Sequence, residues 1–247
     1  RGRGRRALVE AGVGGRRVRD GVVQADGFVD DHAFVGMAAL RLHAATGHSG
    51  YLTMAVEIAE RLADAFYDPE MGTFTLRAAD AGQIVTATEE VVDRAIPAAS
   101  AVAADLLYRL DPVLAAVDGQ AVAEEVLARH HNQLTAQPTQ HVTMHLLGEV
   151  IARPSRELVI TAADDRTGSW SQVADLSTRG LRVLRRPPDD ASTAAIADEL
   201  GFDAIPPVWR GRSSTDGPRL YACTDMVCAR PTGDPARARA ELRFGQS

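Results

Sequence analysis

The sequence predicts a mainly helical protein that ends in a small α/β segment. Apolar residues recur at spacings of three and four through residues 26–153, and short aliphatic runs replace that period after Pro154. A third observation concerns the start: residues 1–25 are dominated by Gly and Arg with no sustained period, which predicts a poorly ordered basic tail.

The first helix is expected around Ala33–Leu42, where Ala33, Phe34, Val35, Met37, Ala38, Leu40 and Leu42 are apolar on nearly every side. Such a helix is packed all round. Gly47 and Gly50 mark a turn. Tyr51, Met54, Ala55, Ile58, Ala59, Leu62 and Phe66 then form one apolar face, with Glu57, Glu60, Arg61 and Asp64 opposite. Residues 72–76 and 83–86 alternate briefly and are expected to pair as a hairpin. A second buried helix follows over Ser100–Leu110, a more polar one over Gln120–Leu134, and a fifth over Thr139–Ile151. Buried and amphipathic helices in alternation suggest an inner and an outer layer.

Beyond Pro154, Leu158–Ile160 and Leu181–Leu184 read as strands. The roughly 20 residues between them, with a weak helix over Ser169–Ser177, suit a parallel crossover. A helix near Ala191–Leu200 and a last strand over Arg219–Cys223 follow, and Asp234-Pro235 is a good helix start. The α/β segment, residues 154–247, has no G-x-G-x-x-G between strand and helix, so no dinucleotide site and no cofactor is implied.

Composition narrows the function classes. The 247 residues carry a formal charge of −6, and all 27 basic residues are arginine. Seven of these lie in residues 1–20 against Glu10 and Asp20, a net of +5 that leaves −11 for the remainder. That balance argues against a nucleic-acid groove in the body of the protein. No apolar run approaches the ~18 residues of a membrane span, no secretory h-region is present, and two cysteines are too few for a disulfide scaffold. The cytoplasm is the expected compartment.

Three segments in order carry a family resemblance: GFVDDHAF (27–34), AIPAASAVAADLLYRL (95–110) and YACTDMVCARPTGDP (221–235), with DPEMGTF (68–74) between the first two. Together they resemble the C-terminal region of thioredoxin-domain-containing proteins of the spermatogenesis-associated protein 20 kind. The resemblance implies a partial α/α toroid, six-hairpin glycosidase-like, over residues 26–153. It also implies that a thioredoxin-like domain and the first hairpins stand upstream, as the Arg1 start suggests. The chain departs from the pattern at Pro97-Ala98-Ala99-Ser100-Ala101, where the family has Pro-Ser-Gly-Asn-Ser. The lost Gly and Asn remove a permissive backbone position and an amide.

In a toroid the inner-helix ends line a funnel. Asp30 and Asp31, at the start of the first buried helix, are then candidate acid or base groups, with Asp93 as a partner carboxylate and Glu89 and Glu90 as substrate-binding residues. The simpler reading of Asp30 and Asp31 is helix capping. His141 and His145 have ligand spacing but lack the neighbouring Glu of a metalloprotease helix, and His130 and His131 read as surface residues, so no metal site is expected. Cys223 and Cys228 form C-x₄-C, not the C-x-x-C of a thioredoxin; they are redox candidates that read first as two reduced thiols, with a local disulfide or redox-responsive pair as the alternative. Trp170 and Trp209 read as core or interface residues rather than sugar-stacking platforms.

Two functions follow. One is a carbohydrate-active or epimerase-like toroid taking a small molecule or sugar through its acidic residues. The other is a non-catalytic scaffold or regulatory module for a thioredoxin-like domain. An incomplete toroid would also leave an exposed helical flank through which the chain self-associates.

Overall fold

The computed structural model describes residues 15–20, 22–78, 89–161, 181–214, 217–225 and 227–238. The segments 83–86 and 169–177, Trp170 and residues 1–14 of the expected tail lie outside the described residues.

Part of that tail is structured. Strands β1 (Gly15–Arg19) and β2 (Val22–Asp26) pair antiparallel, with Asp20 at φ 55° in the turn. An Asp-Gly pair flanked by valines is a hairpin signal that the arginines obscure.

Helix α1 (Val29–Thr46) opens where the Asp31 carboxylate accepts the Phe28 amide at 2.9 Å, and ends at Gly47, whose φ is 76°. Val29, Ala33, Gly36, Leu40 and Ala44 face the core. A Cβ on Gly36 would sit 2.5 Å from Leu106 Cδ2 and 2.9 Å from Ile58 Cγ2, so glycine lets α1 approach its neighbours closely. The helix is not packed all round: Val35 is 51% and Leu42 44% exposed. Apolar composition on every side does not supply a neighbour on every side.

Helix α2 (Ser49–Ala65) starts with the His48 ring accepting the Gly50 amide at 3.1 Å and buries Leu52, Ala55, Val56, Ala59 and Leu62. It runs into a hairpin of β3 (Tyr67–Asp68) and β4 (Thr73–Phe74). Asp68 accepts the Glu70 and Met71 amides at 3.0 and 3.1 Å, so residues 68–72 close their own turn. Thr73–Phe74 thus pairs with Tyr67–Asp68, while the partner expected from the sequence, 83–86, lies outside the described residues.

Helix α3 (Ala99–Leu110) is buried on almost every side. It lies between α1 and α5 (Val142–Ile151), with α4 (Gly119–Ala136) packed outside it as α2 is packed outside α1. Two rows result, α1–α3–α5 and α2–α4. A Cβ on Gly119 would lie 2.2 Å from the Leu107 carbonyl oxygen, so the start of α4 rests on the backbone of α3.

The sheet has the order β6-β5-β7-β8. β5 (Arg156–Thr161) and β6 (Leu181–Arg186) are parallel, as the crossover length predicts, and β7 (Arg219–Thr224) is antiparallel to β5. β8 (Val227–Cys228) is a short edge strand on β7. Helix α6 (Asp190–Glu199) is capped by Asp189, which accepts the Ser192 amide at 2.7 Å. Asp234 likewise accepts the Ala236 amide at 2.8 Å at the start of a last helical turn.

The sheet packs on the helices. Val159 and Leu184 join Trp209, which is fully buried, in the core of α1–α5. The opposite face gathers Leu158, Ile160, Leu181, Val183 and Leu220 around Ala44 and Ala238. At the β6 edge, His43 Nε2 accepts the Arg185 amide at 3.1 Å, and Arg109 donates to the Leu181 carbonyl at 2.9 Å. Side chains of α1 and α3 thus satisfy backbone groups that an open edge would expose. Among the described residues no helix is long and apolar enough to cross a membrane.

Candidate functional site

The acidic residues singled out by sequence adjoin the N-terminal ends of α1, α3 and α5. Val29 donates to the Leu76 carbonyl at 3.0 Å, and the adjacent Thr75 bridges Glu89, so the α1 start and Glu89 flank one short segment. Asp30 is half-buried in the first turn of α1, and Asp31 is committed to the Phe28 amide. Glu90 contributes its backbone: its carbonyl accepts the Ser100 amide at 3.1 Å in the first turn of α3.

Asp93 is the most constrained member. Its Oδ1 accepts the Ala98 amide and its Oδ2 the Thr143 amide, both at 2.8 Å, while its own amide donates to Gln140. One carboxylate therefore caps α3 and α5 together. Burial pushes the Asp93 carboxyl up, but the Thr143 and Ala98 amides outweigh it and hold the group below the usual carboxylate range. Sequence suggests a catalytic carboxylate; the geometry shows a tie between helices. The cap residue Ala98 offers no side-chain acceptor of its own, and Asp93 supplies one from outside the helix.

Glu89 lies 3.9 Å from the Arg129 guanidinium and 4.0 Å from His130 Nε2. His130, expected at the surface, is 2% exposed and bonds Thr73 Oγ1 at 2.9 Å. The reason is position: it shares the inward stripe of α4 with Ala123, Val126 and Leu134. Burial lowers its pKa despite the nearby Glu89. His141 and His145 converge on no common point; His141 Nδ1 bonds the Gln137 carbonyl at 2.9 Å, and the exposed His145 bonds Leu134. No cluster of three metal-ligating side chains occurs among the described residues.

A cavity of about 60 Å³ is lined by Glu89, Glu90, Val92, Arg94, Ile96 and Pro97. That is room for water, well short of the ~300 Å³ at which ligand pockets begin. An open groove of about 500 Å³ lies elsewhere, along Glu60, Arg61, Asp64, Ala116 and Val117. Burial, then the neighbouring Glu57, raises the Glu60 pKa. Sequence reading places these acids on the ordinary polar face of an amphipathic helix, and the groove depends on the 114–118 turn opposite, which no local pattern announces.

Cys223 and Cys228 are joined by a disulfide, not held as the reduced thiols that the sequence favours. They are register partners across β7 and β8, which brings their side chains together on one face. Four residues between them look like loop in sequence; the tight turn at Asp225, φ 46°, makes them direct neighbours. A row of side chains crosses the whole sheet here: Arg182, Glu157, Cys223 and Cys228. Arg182 is 3.5 Å from Glu157, 3.3 Å from Gln120 and stacked 4.1 Å from the Tyr108 ring centroid. Arg212, 7% exposed, donates through Nη2 to both sulfurs, at 3.4 Å to Cys223 and 2.9 Å to Cys228. Its Nη1 is held by the Val208 and Pro207 carbonyls.

No family model matches the chain, and no curated protein matches it.

Proposed function

We propose that the chain is a non-catalytic helical module of the thioredoxin-domain-containing family that it resembles, acting in the cytoplasm as a scaffold or regulatory partner of a thioredoxin-like domain. The observation that carries this reading is Asp93, both of whose oxygens hold helix starts. A carboxylate held by two helix amides, and kept below the usual carboxylate range by them, is poorly suited to exchange protons. Asp31 accepts the Phe28 amide through one oxygen, and the cavity beside Glu89 and Glu90 does not admit a sugar ring. The two rows of helices support a partial α/α toroid of the six-hairpin glycosidase kind as the architecture. Val35 and Leu42 on the open side of α1 support self-association through that flank.

One observation favours the carbohydrate-active reading: Asp30 and Glu89 flank the same 75–76 segment at one end of the helices. Calorimetric titration with neutral and acidic mono- and oligosaccharides separates the two readings. The module reading expects no saturable heat. Saturable binding that disappears in Asp30→Asn or Glu89→Gln, with melting unchanged, would establish the sugar-binding reading in its place.

A further inference from the structure

We propose that the Cys223–Cys228 disulfide, with Arg212 laid across it, is a thiol–disulfide exchange site that accepts two electrons from a dithiol donor at the edge of the sheet. Three observations carry the inference. The bond lies in the β7–β8 strand pair, where, among the described residues, β8 has β7 as its only neighbour in the sheet order. The two cysteines differ in access, since Cys223 is 3% exposed whereas Cys228 and its neighbour Val227 are exposed residues. The buried guanidinium donates to both sulfurs from a position fixed by two backbone carbonyls, so the positive charge is in place before either sulfur becomes negative.

The chemistry follows from that arrangement. A donor thiolate attacks Cys228 Sγ, the sulfur of the exposed residue, and forms a mixed disulfide. The Cys223–Cys228 bond breaks, and its electron pair leaves on Cys223 as a thiolate beside Arg212. The donor's second thiol, deprotonated, attacks its own first sulfur in the mixed disulfide and releases Cys228. The donor departs as a disulfide, and the chain gains two electrons and, on protonation of the thiolates, two protons. Leaving-group stability controls such exchanges, so a cation at Cys223 accelerates the first step. Glu157, opposite Cys223 in the register, works against the thiolate, but its Oε1 faces Arg182 and Ser155. Arg212 is in direct contact with both sulfurs, and it acts as a positioning and charge-compensating residue.

The test uses the whole chain and dithiothreitol as donor, with acid quenching and maleimide mass-labelling to count reduced thiols. Both cysteines should become labelled while the protein remains folded by circular dichroism. In single-cysteine variants, Cys228 (in Cys223→Ser) should react with an aromatic disulfide reagent faster than Cys223 (in Cys228→Ser). Arg212→Gln should slow reduction by about tenfold and move the pH profile of thiol alkylation upward, whereas Arg212→Lys should retain most of the effect. A purely structural role for Arg212 would leave that profile in place. A pair that resists dithiothreitol until denaturant is added overturns the proposal, as does an Arg212→Gln protein that reduces and alkylates like the parent. If Arg212→Gln does not fold, the parent decides: an alkylation midpoint at or above that of a free cysteine, about pH 8.5, overturns it equally.

Discussion

His43 shows how one side chain can serve a sheet edge from a neighbouring helix. It is 2% exposed, its Nδ1 lies 3.3 Å from the His48 carbonyl, and its Nε2 accepts the Arg185 amide. Accepting at Nε2 requires the neutral ring, and burial, aided by the Arg185 charge, pushes the His43 pKa down to about 4 from an ordinary 6.5. The folded state therefore binds this proton less readily than the unfolded state does. Stability from His43 is fully present above pH 6.5 and is lost as pH falls towards 4, by on the order of 3 kcal/mol. Denaturant midpoints measured across that interval should decline, and His43→Gln should flatten the decline. A parent protein equally stable at both ends would show that the ring does not hold the β6 edge. Asp93 makes a second prediction at this scale. Asp93→Ala removes the caps of two helices and should cost about 2 kcal/mol, with Asn, which keeps one acceptor oxygen, near half of that. Urea unfolding of both variants checks it; an unchanged midpoint for Ala would return Asp93 to the list of candidate catalytic groups.

Among the elements, the contact between α3 and α4 is the least forgiving. The Leu107 carbonyl occupies the space that a side chain at Gly119 would need, and Asp111 accepts the Gly119 and Gln120 amides at 3.0 and 3.3 Å. A backbone oxygen cannot rotate aside. Gly119→Ala should therefore destabilise by about 2–3 kcal/mol, although alanine is the better helix former. Thermal melting of that variant beside Gly148→Ala, where a Cβ meets nothing closer than 3.8 Å, isolates the clash. Equal melting temperatures would mean that α4 shifts without cost. The helices themselves were legible because their apolar spacing is a local property. The β1–β2 hairpin was written in Asp20-Gly21 and its flanking valines, yet a composition dominated by Gly and Arg concealed it.

For the whole molecule, the open side of α1 is the feature with a solution consequence. Val35 and Leu42 lie seven residues apart, two turns along one face, with the exposed Ala38 between them. The self-association proposed for this flank predicts concentration-dependent light scattering and hydrophobic-dye binding, both reduced by Leu42→Glu with no loss of melting temperature. A monodisperse, dye-silent monomer would remove both the association and the incomplete toroid from which it was inferred. The proposed exchange site bears on the same scale, because in the cytoplasm proposed for this chain a disulfide would be transient or redox-sensing rather than structural. Insulin reduction by the chain alone should stay at background, since the pair lacks C-x-x-C spacing and is placed to accept electrons. Turnover abolished by Cys223→Ser would reverse that assignment.

The sequence by itself determined the helices, the parallel strand pair and the change of class after Pro154, because periodicity, capping residues and crossover length act over a few neighbouring positions. Asp93 as a double cap, His130 in the core, His43 against the β6 edge, and the disulfide under Arg212 were decided only by the tertiary structure. Each depends on a partner between 11 and 142 residues away in the chain or on the register of two strands. A carboxylate, an imidazole or a thiol has the same letter whether it meets solvent, an amide or a guanidinium. Packing chooses among these, because a buried polar atom must find its partner wherever the fold has brought one.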